Sequence, residues 1–211
     1  TPVSIASSKT LSGAITVTAG SIKLDEAGTL ASSISMSGGK IDADESLAVS
    51  GALTHSGDIT IDVADNKTLT YSGAAISLGA NTLTLSGGGS LVSGGLTLDN
   101  ASSKLVLNSI TVDNVSTTSD SLGLDVDADS TVTSLSVAKI TPVAIASGSS
   151  LSGGITITAG SLKLTETGTL ASSILMSGGT LDADNSLTVS GALTHTGNIT
   201  IDVAETKTLT Y

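Results

Sequence analysis

The stretch ITVTAGSIKLDEAGTLASS (15–33) decides the fold. Apolar and polar residues alternate at Ile15-Thr16-Val17 and again at Ile22-Lys23-Leu24, and a third short step centres on Leu30. Gly20, Gly28 and the Ser32-Ser33 pair punctuate these steps. Successive side chains of a strand point to opposite faces, so strict alternation rich in β-branched residues reads as half-buried strand. No stretch of the chain carries apolar residues at helical spacing over three turns.

The same unit recurs along the chain. Comparable steps begin at Ile15, Ile34, Leu53, Ile76, Leu96, Val112, Leu135 and Ile155, spaced by 19, 19, 23, 20, 16, 23 and 20 residues. Three short strands and three turns in about twenty residues describe one coil of a parallel β-helix, whose coils bury their apolar faces only by stacking. The inward positions then form columns. One runs Ile15, Ile34, Leu53, Ile76, Leu96, Val112, Leu135, Ile155, Ile174 and Leu193; its neighbour runs Val17, Met36, His55, Leu78, Leu98, Asn114, Val137, Ile157, Met176 and His195. The expectation is an all-β, right-handed parallel β-helix (a β-solenoid), the hand following the crossover preference of parallel strands. About ten and a half coils at ~4.8 Å each make a rod on the order of 50 Å long.

A longer repeat contains the short one. Residues 1–71 recur as 141–211 with 53 of 71 positions identical. The domain reading is therefore one continuous solenoid over 1–211, with 1–140 a full seven-coil repeat and 141–211 the first half of a second copy. With no initiating Met and no signal-peptide pattern, the chain reads as a segment of a longer repetitive parent.

Composition agrees with a narrow, regular interior. The chain has no Cys, Trp or Phe and only two aromatic residues, Tyr71 and Tyr211. All its cations are lysines, and the net charge of −11 is spread along the length. That balance argues against nucleic acid and anionic lipid as partners, since both require a basic surface. No apolar run approaches the ~18 residues of a membrane span, so membrane insertion is not expected.

Candidate sites are few. The only histidines, His55 and His195, occupy matching places in GALTHSGDITIDVA (51–64) and GALTHTGNITIDVA (191–204). General acid–base work requires access to substrate and a partner within hydrogen-bond reach. The inward parity of Leu53-Thr54-His55 instead predicts a neutral lumen imidazole between Met36 and Leu78, bonded to a backbone carbonyl or an Asn neighbour. Asp58 is the nearest acidic partner in sequence, and its counterpart in the second copy is Asn198.

Aspartates cluster at DADES (42–46), DVADN (62–66), DVDAD (125–129) and DADNS (182–186). Asp125, Asp127 and Asp129 form the best candidate set for Ca²⁺, which takes six to eight oxygens; the competing reading is turn chemistry, in which Asp and Asn satisfy backbone N–H groups. Neither the EF-hand nor the glycine-rich calcium repeat is present. Thr/Ser pairs on the outward side, such as Thr16/Thr18 and Thr54/Ser56, suggest a hydroxyl ladder of the kind that orders water or binds ice. In the sequence register it breaks at Ser77/Gly79, Thr97/Asp99, Asp113/Val115 and Ser136/Ala138. Glycoside hydrolysis would need aromatic sugar platforms that the chain lacks, and no nucleophile-elbow, P-loop or dinucleotide motif occurs. No catalytic residue and no cofactor beyond the calcium candidates is expected.

The segments GGITITAGSLKL (153–164), GANTLTLSGGGSL (79–91) and GGLTLDNASSKLVL (94–107) resemble autotransporter-associated β-strand repeats and the wider group of filamentous-haemagglutinin-like bacterial surface proteins. The likeness spans the chain, although the aromatic residues that often follow the Asn-Thr step in such repeats are missing. The resemblance implies a secreted, cell-surface β-helix serving as stalk, adhesin shaft or matrix filament. Its partners would be neighbouring copies of itself, end-to-end or lateral, and a surface or polysaccharide ligand.

Overall fold

The structure, a computed structural model, describes Pro2, Val3 and residues 5–211; Thr1 and Ser4 of the long repeat lie outside the described residues. It is a parallel β-solenoid with three strands per coil. The first face is a sheet of eleven parallel strands in sequence-ordered succession, from Pro2–Val3 through Ser21–Leu24 and Lys40–Ala43 to Thr200–Val203. We number the coils by these strands: coil 1 spans 2–17, coil 2 21–36, coil 3 40–55, coil 4 59–77, coil 5 82–98, coil 6 104–117, coil 7 123–137, coil 8 140–157, coil 9 161–176 and coil 10 180–195. Coil 11 (200–210) has strands on two faces only.

The second face stacks the middle strand of each coil, from Thr10–Leu11 to Leu209–Thr210. The third face is divided. Ala14–Val17, Ser33–Met36 and Leu53–His55 form a separate three-stranded sheet, whereas Ile76–Ser77 pairs only upward, with Leu96–Leu98. In coils 6 to 9 the second-face strand runs on into the third face without interruption, as in Ser150–Ile157 and Thr169–Met176.

Alternation within each strand builds the interior. Ile59–Val63 buries Ile59, Ile61 and Val63 and leaves Thr60 and Asp62 half-exposed. In-register pairing then stacks like on like, as in the first-face column Ile59–Leu83–Leu105–Leu124–Val143–Leu164–Ala183. These residues join one aliphatic cluster along the rod, in which Tyr71 is the sole aromatic member. Each fully buried Leu or Ile contributes on the order of 1.5–3 kcal/mol by leaving water. Buried hydroxyls turn back onto the backbone at corners: Ser103 Oγ donates to the Gly79 carbonyl at 2.5 Å and Ser172 Oγ to the Leu151 carbonyl at 3.1 Å. Without such acceptors a buried hydroxyl is costly.

One assignment in the inward columns is corrected. Thr111–Thr117 is a single strand crossing from the second face to the third. Val112 therefore stacks with Leu91 and Val132 on the second face, while Val115 and Thr117 take the lumen places opposite Leu96 and Leu98. Asn114 is exposed. With Val115 in its place, the spacings of 16 and 23 around coil 6 become 19 and 20. The irregularity left in that column is the 23-residue step from Leu53 to Ile76.

Tight turns require left-handed backbone at defined points. Lys9 N donates to the Ala6 carbonyl at 2.9 Å and Ser149 N to the Ala146 carbonyl at 2.9 Å, closing equivalent turns with Ser8 at φ 63° and Gly148 at φ 85°. The Ala64–Lys67 and Ala204–Lys207 turns are likewise closed, with Asn66 at φ 59° and Thr206 at φ 65°. A β-branched residue is poorly suited to this region, whereas Asn visits it readily. Replacing Thr206 by Asn, the residue of the first copy, is expected to stabilise the fold by about 0.5–1 kcal/mol. A urea titration followed by circular dichroism checks this.

Candidate functional site

The 23-residue step places His55 at the division of the third face. Leu53–His55 pairs with Ile34–Met36 below, His55 standing opposite Met36 as its parity predicts. Above it no ladder bond joins Leu53–His55 to Ile76–Ser77. Against coil 3, coil 4 carries two extra residues at the Ala64–Lys67 turn and one at the Ser72–Ala75 corner. A cleft of about 550 Å³ results, lined by Thr54, His55, Tyr71, Gly73, Ala75 and Ser77 among others. Leu78 therefore does not close over the imidazole through a continuous sheet.

The ring is half-buried and tied to its own turn. In its neutral form Nδ1 donates to the Gly57 carbonyl oxygen at 3.1 Å, as expected for a wall imidazole. Nε2 is buried without a hydrogen-bond partner. Asp58 is not that partner, because its Oδ1 accepts from Thr82 N at 2.7 Å in coil 5. Across the cleft Asp99 accepts from Ser77 Oγ and, at 2.8 Å, from Gly79 N. Burial opposes ionisation of Asp99, but these hydrogen bonds outweigh it and hold the carboxyl below the usual carboxylate range, with His55 adding a smaller electrostatic pull. His195, with the same local sequence, is exposed; its Nδ1 lies 3.3 Å from the Gly197 carbonyl.

Tyr71 is the residue of this cleft that sequence reasoning missed. Its hydroxyl accepts from Leu53 N at 3.1 Å, one tie across the unpaired interval of the third face. Gly73 must be glycine to admit it, since a Cβ there would lie 2.2 Å from the Tyr71 hydroxyl. The available signal was its rarity: one of two aromatic residues, recurring as Tyr211 at the same place in the second copy.

The calcium candidates are separated by the fold. Asp125 points outward on the first face and pairs with Lys104 of coil 6. Asp127 is exposed at the corner. Asp129 Oδ1 accepts from Ser150 N at 2.8 Å and Ser150 Oγ at 3.0 Å, and the residue borders a hydroxyl-rich groove of about 230 Å³ with Ser109, Thr131 and Ser152. Among the described residues no three His, Asp or Glu side chains gather as a metal set.

The other aspartate clusters serve as rungs between coils. Lys40 bridges Asp42 at 3.4 Å and Asp62 at 2.7 Å; Lys163 bridges Asp182 at 3.2 Å and Asp184 at 2.8 Å; Lys67 reaches Glu45 at 2.6 Å; Lys23 pairs with Asp44. Burial opposes ionisation of Asp62, yet hydrogen bonds from Lys40 and Ser86 and the Lys40 charge keep its carboxyl below the usual range. The hydrogen bonds to Asp184 and Asp182 hold the Lys163 ammonium above its ordinary value.

The corrected register also changes the hydroxyl ladder. Thr97 now pairs with Ser116, and Ser116 with Ser136, in place of Asp113. The first outward column of the third face reads Thr16, Ser35, Thr54, then Ser77, Thr97, Ser116, Ser136 and Thr156, before Leu175 and Thr194. The second column remains interrupted, at Gly79, Asp99 and Ala138.

Fold and surface together define a class: a three-sided parallel β-solenoid with an aliphatic lumen, one ion-paired face and a hydroxyl-bearing third face. The chain matches no family model, no curated protein and no solved structure. No helix of the described residues is long and apolar enough to cross a membrane.

Replacing His55 by Leu removes an unpartnered buried nitrogen and leaves the Gly57 carbonyl to water. The expected outcome is an unchanged or higher unfolding free energy, by up to about 1 kcal/mol. A loss larger than that in chemical denaturation would mean the imidazole holds the coil together.

Proposed function

We propose that this chain is a structural segment of a long extracellular bacterial protein, a rigid stalk, adhesin shaft or self-stacking filament whose length scales with repeat number. The observation that carries the reading is the in-register first-face ladder through eleven strands, combined with a 140-residue repeat that returns the same coils. The interior is lined mainly by aliphatic side chains, and each added coil extends the same core and ladders. The likeness to autotransporter-associated repeats and filamentous-haemagglutinin-like proteins supports a surface location, and neighbouring copies of the repeat are the partners this reading names. Inserting one further copy of residues 1–140 is expected to lengthen the particle by about 34 Å in electron micrographs. Unchanged length would end the rod reading.

A second reading, a binding module engaging an ordered surface such as ice, is favoured by the corrected hydroxyl column. Eight coils present Thr or Ser at one outward position, in ladders of three (Thr16 to Thr54) and five (Ser77 to Thr156) spaced at ~4.8 Å within each. Thermal hysteresis measured on the purified chain tests it: a freezing-point gap lost on Thr97→Val/Ser116→Val supports it, and no gap at millimolar protein discards it.

A further inference from the structure

The solenoid is not uniformly tied. Between coils 3 and 4 the first-face ladder is complete, with Thr60–Val63 pairing Lys40–Ala43. The second-face ladder is complete as well, with Leu69–Tyr71 pairing Leu47–Val49. The third face has no ladder there. Two sides of a three-sided coil are laced and the third carries the cleft, the unpartnered His55 Nε2 and the single Tyr71–Leu53 hydrogen bond. From coil 4 onward the third-face strands are paired at every step through coil 10.

A joint tied on two adjacent sides and loose on the third can open only one way. We propose that the coil 3–coil 4 interval is a directional hinge: the third face gapes while the first and second faces act as the spine, so the rod bends toward the corner those faces share. Backbone ladders resist separation because each lost pair exposes polar groups and apolar stacking together, and here the third face has little left to lose. Small residues make up the moving corner, Gly73-Ala74-Ala75, with Gly79 beyond it at φ 55°. Tyr71 is the latch. Its ring is rooted in the lumen, 4% exposed, and its hydroxyl holds the backbone of the coil below. This adds a mechanical property to the rod reading and does not depend on it, because bending is measured on the isolated chain.

The absence of native cysteine allows paired spin labels to be placed cleanly. The pair Thr16→Cys/Ser116→Cys spans five coil steps across the interval, and Thr97→Cys/Thr194→Cys spans five steps away from it, each about 24 Å on the third face. Pulsed electron–electron resonance is expected to give a broader distance distribution, displaced to longer values, for the first pair. Tyr71→Phe should broaden it further, and deleting Ala74, which gives the corner the three-residue length that coil 3 has between Val49 and Leu53, should narrow it toward the width of the second pair. Equal widths for the two pairs in the otherwise native chain overturn the hinge, and that comparison stands even where the deletion variant does not fold. Electron micrographs of the repeat-extended chain address the rod separately.

Discussion

Everything in this molecule depends on one spacing. Parallel strands pair at about 4.8 Å, and the same step must serve the backbone ladder, the aliphatic column and the outward rungs at once. A Leu above a Leu fills that step; a Phe would not fit a lumen this narrow without displacing the ladder. The near absence of aromatic residues is thus a packing requirement, and the position of Tyr71 at the widened interval follows the same rule. Where three extra residues enlarge the coil, a ring enters the core and the ladder gives way.

The outer surface obeys the register too. Residues nineteen to twenty-four apart become nearest neighbours, so Lys40 meets Asp62 and Lys163 meets Asp182 and Asp184. Exposed ion pairs of this kind are worth little individually, about 0–1 kcal/mol. Their larger consequence is specificity: a one-residue slip would exchange lumen and outer residues and turn these charges into the aliphatic core. The uncharged hydroxyls of the third face contrast with this ion-paired first face, and the difference gives the rod distinguishable sides.

Most of the architecture was legible in the chain. Period-two alternation, aliphatic columns and the twenty-residue repeat lead directly to a three-strand coil, because each reports a local or additive property of a solenoid. The error at Val112 and Asn114 shows where that legibility stops. Within Thr111–Thr117, two registers place apolar residues inward, and only the pairing of Val115 with Leu96 and Leu135 on either side selects between them. The hydroxyl column inherited the error, since its members were numbered from the wrong anchor. The aspartates of 125–129 show the opposite limit: close in sequence, they serve a lysine rung, an exposed corner and a serine in the next coil.

The two copies of one local sequence mark the boundary most clearly. GALTH occurs at 51–55 and 191–195, and by itself it determines a strand whose Leu and His share the inward side. Yet the residues alone do not say that the ladder stops above the first copy, which leaves His55 half-buried with Nε2 enclosed beside the cleft. Direction and periodicity are written in the residues because they follow from backbone geometry and side-chain parity. Burial, the divided third face and the cleft beside His55 belong to the tertiary structure, because in a solenoid a side chain leaves water only when another coil closes over it.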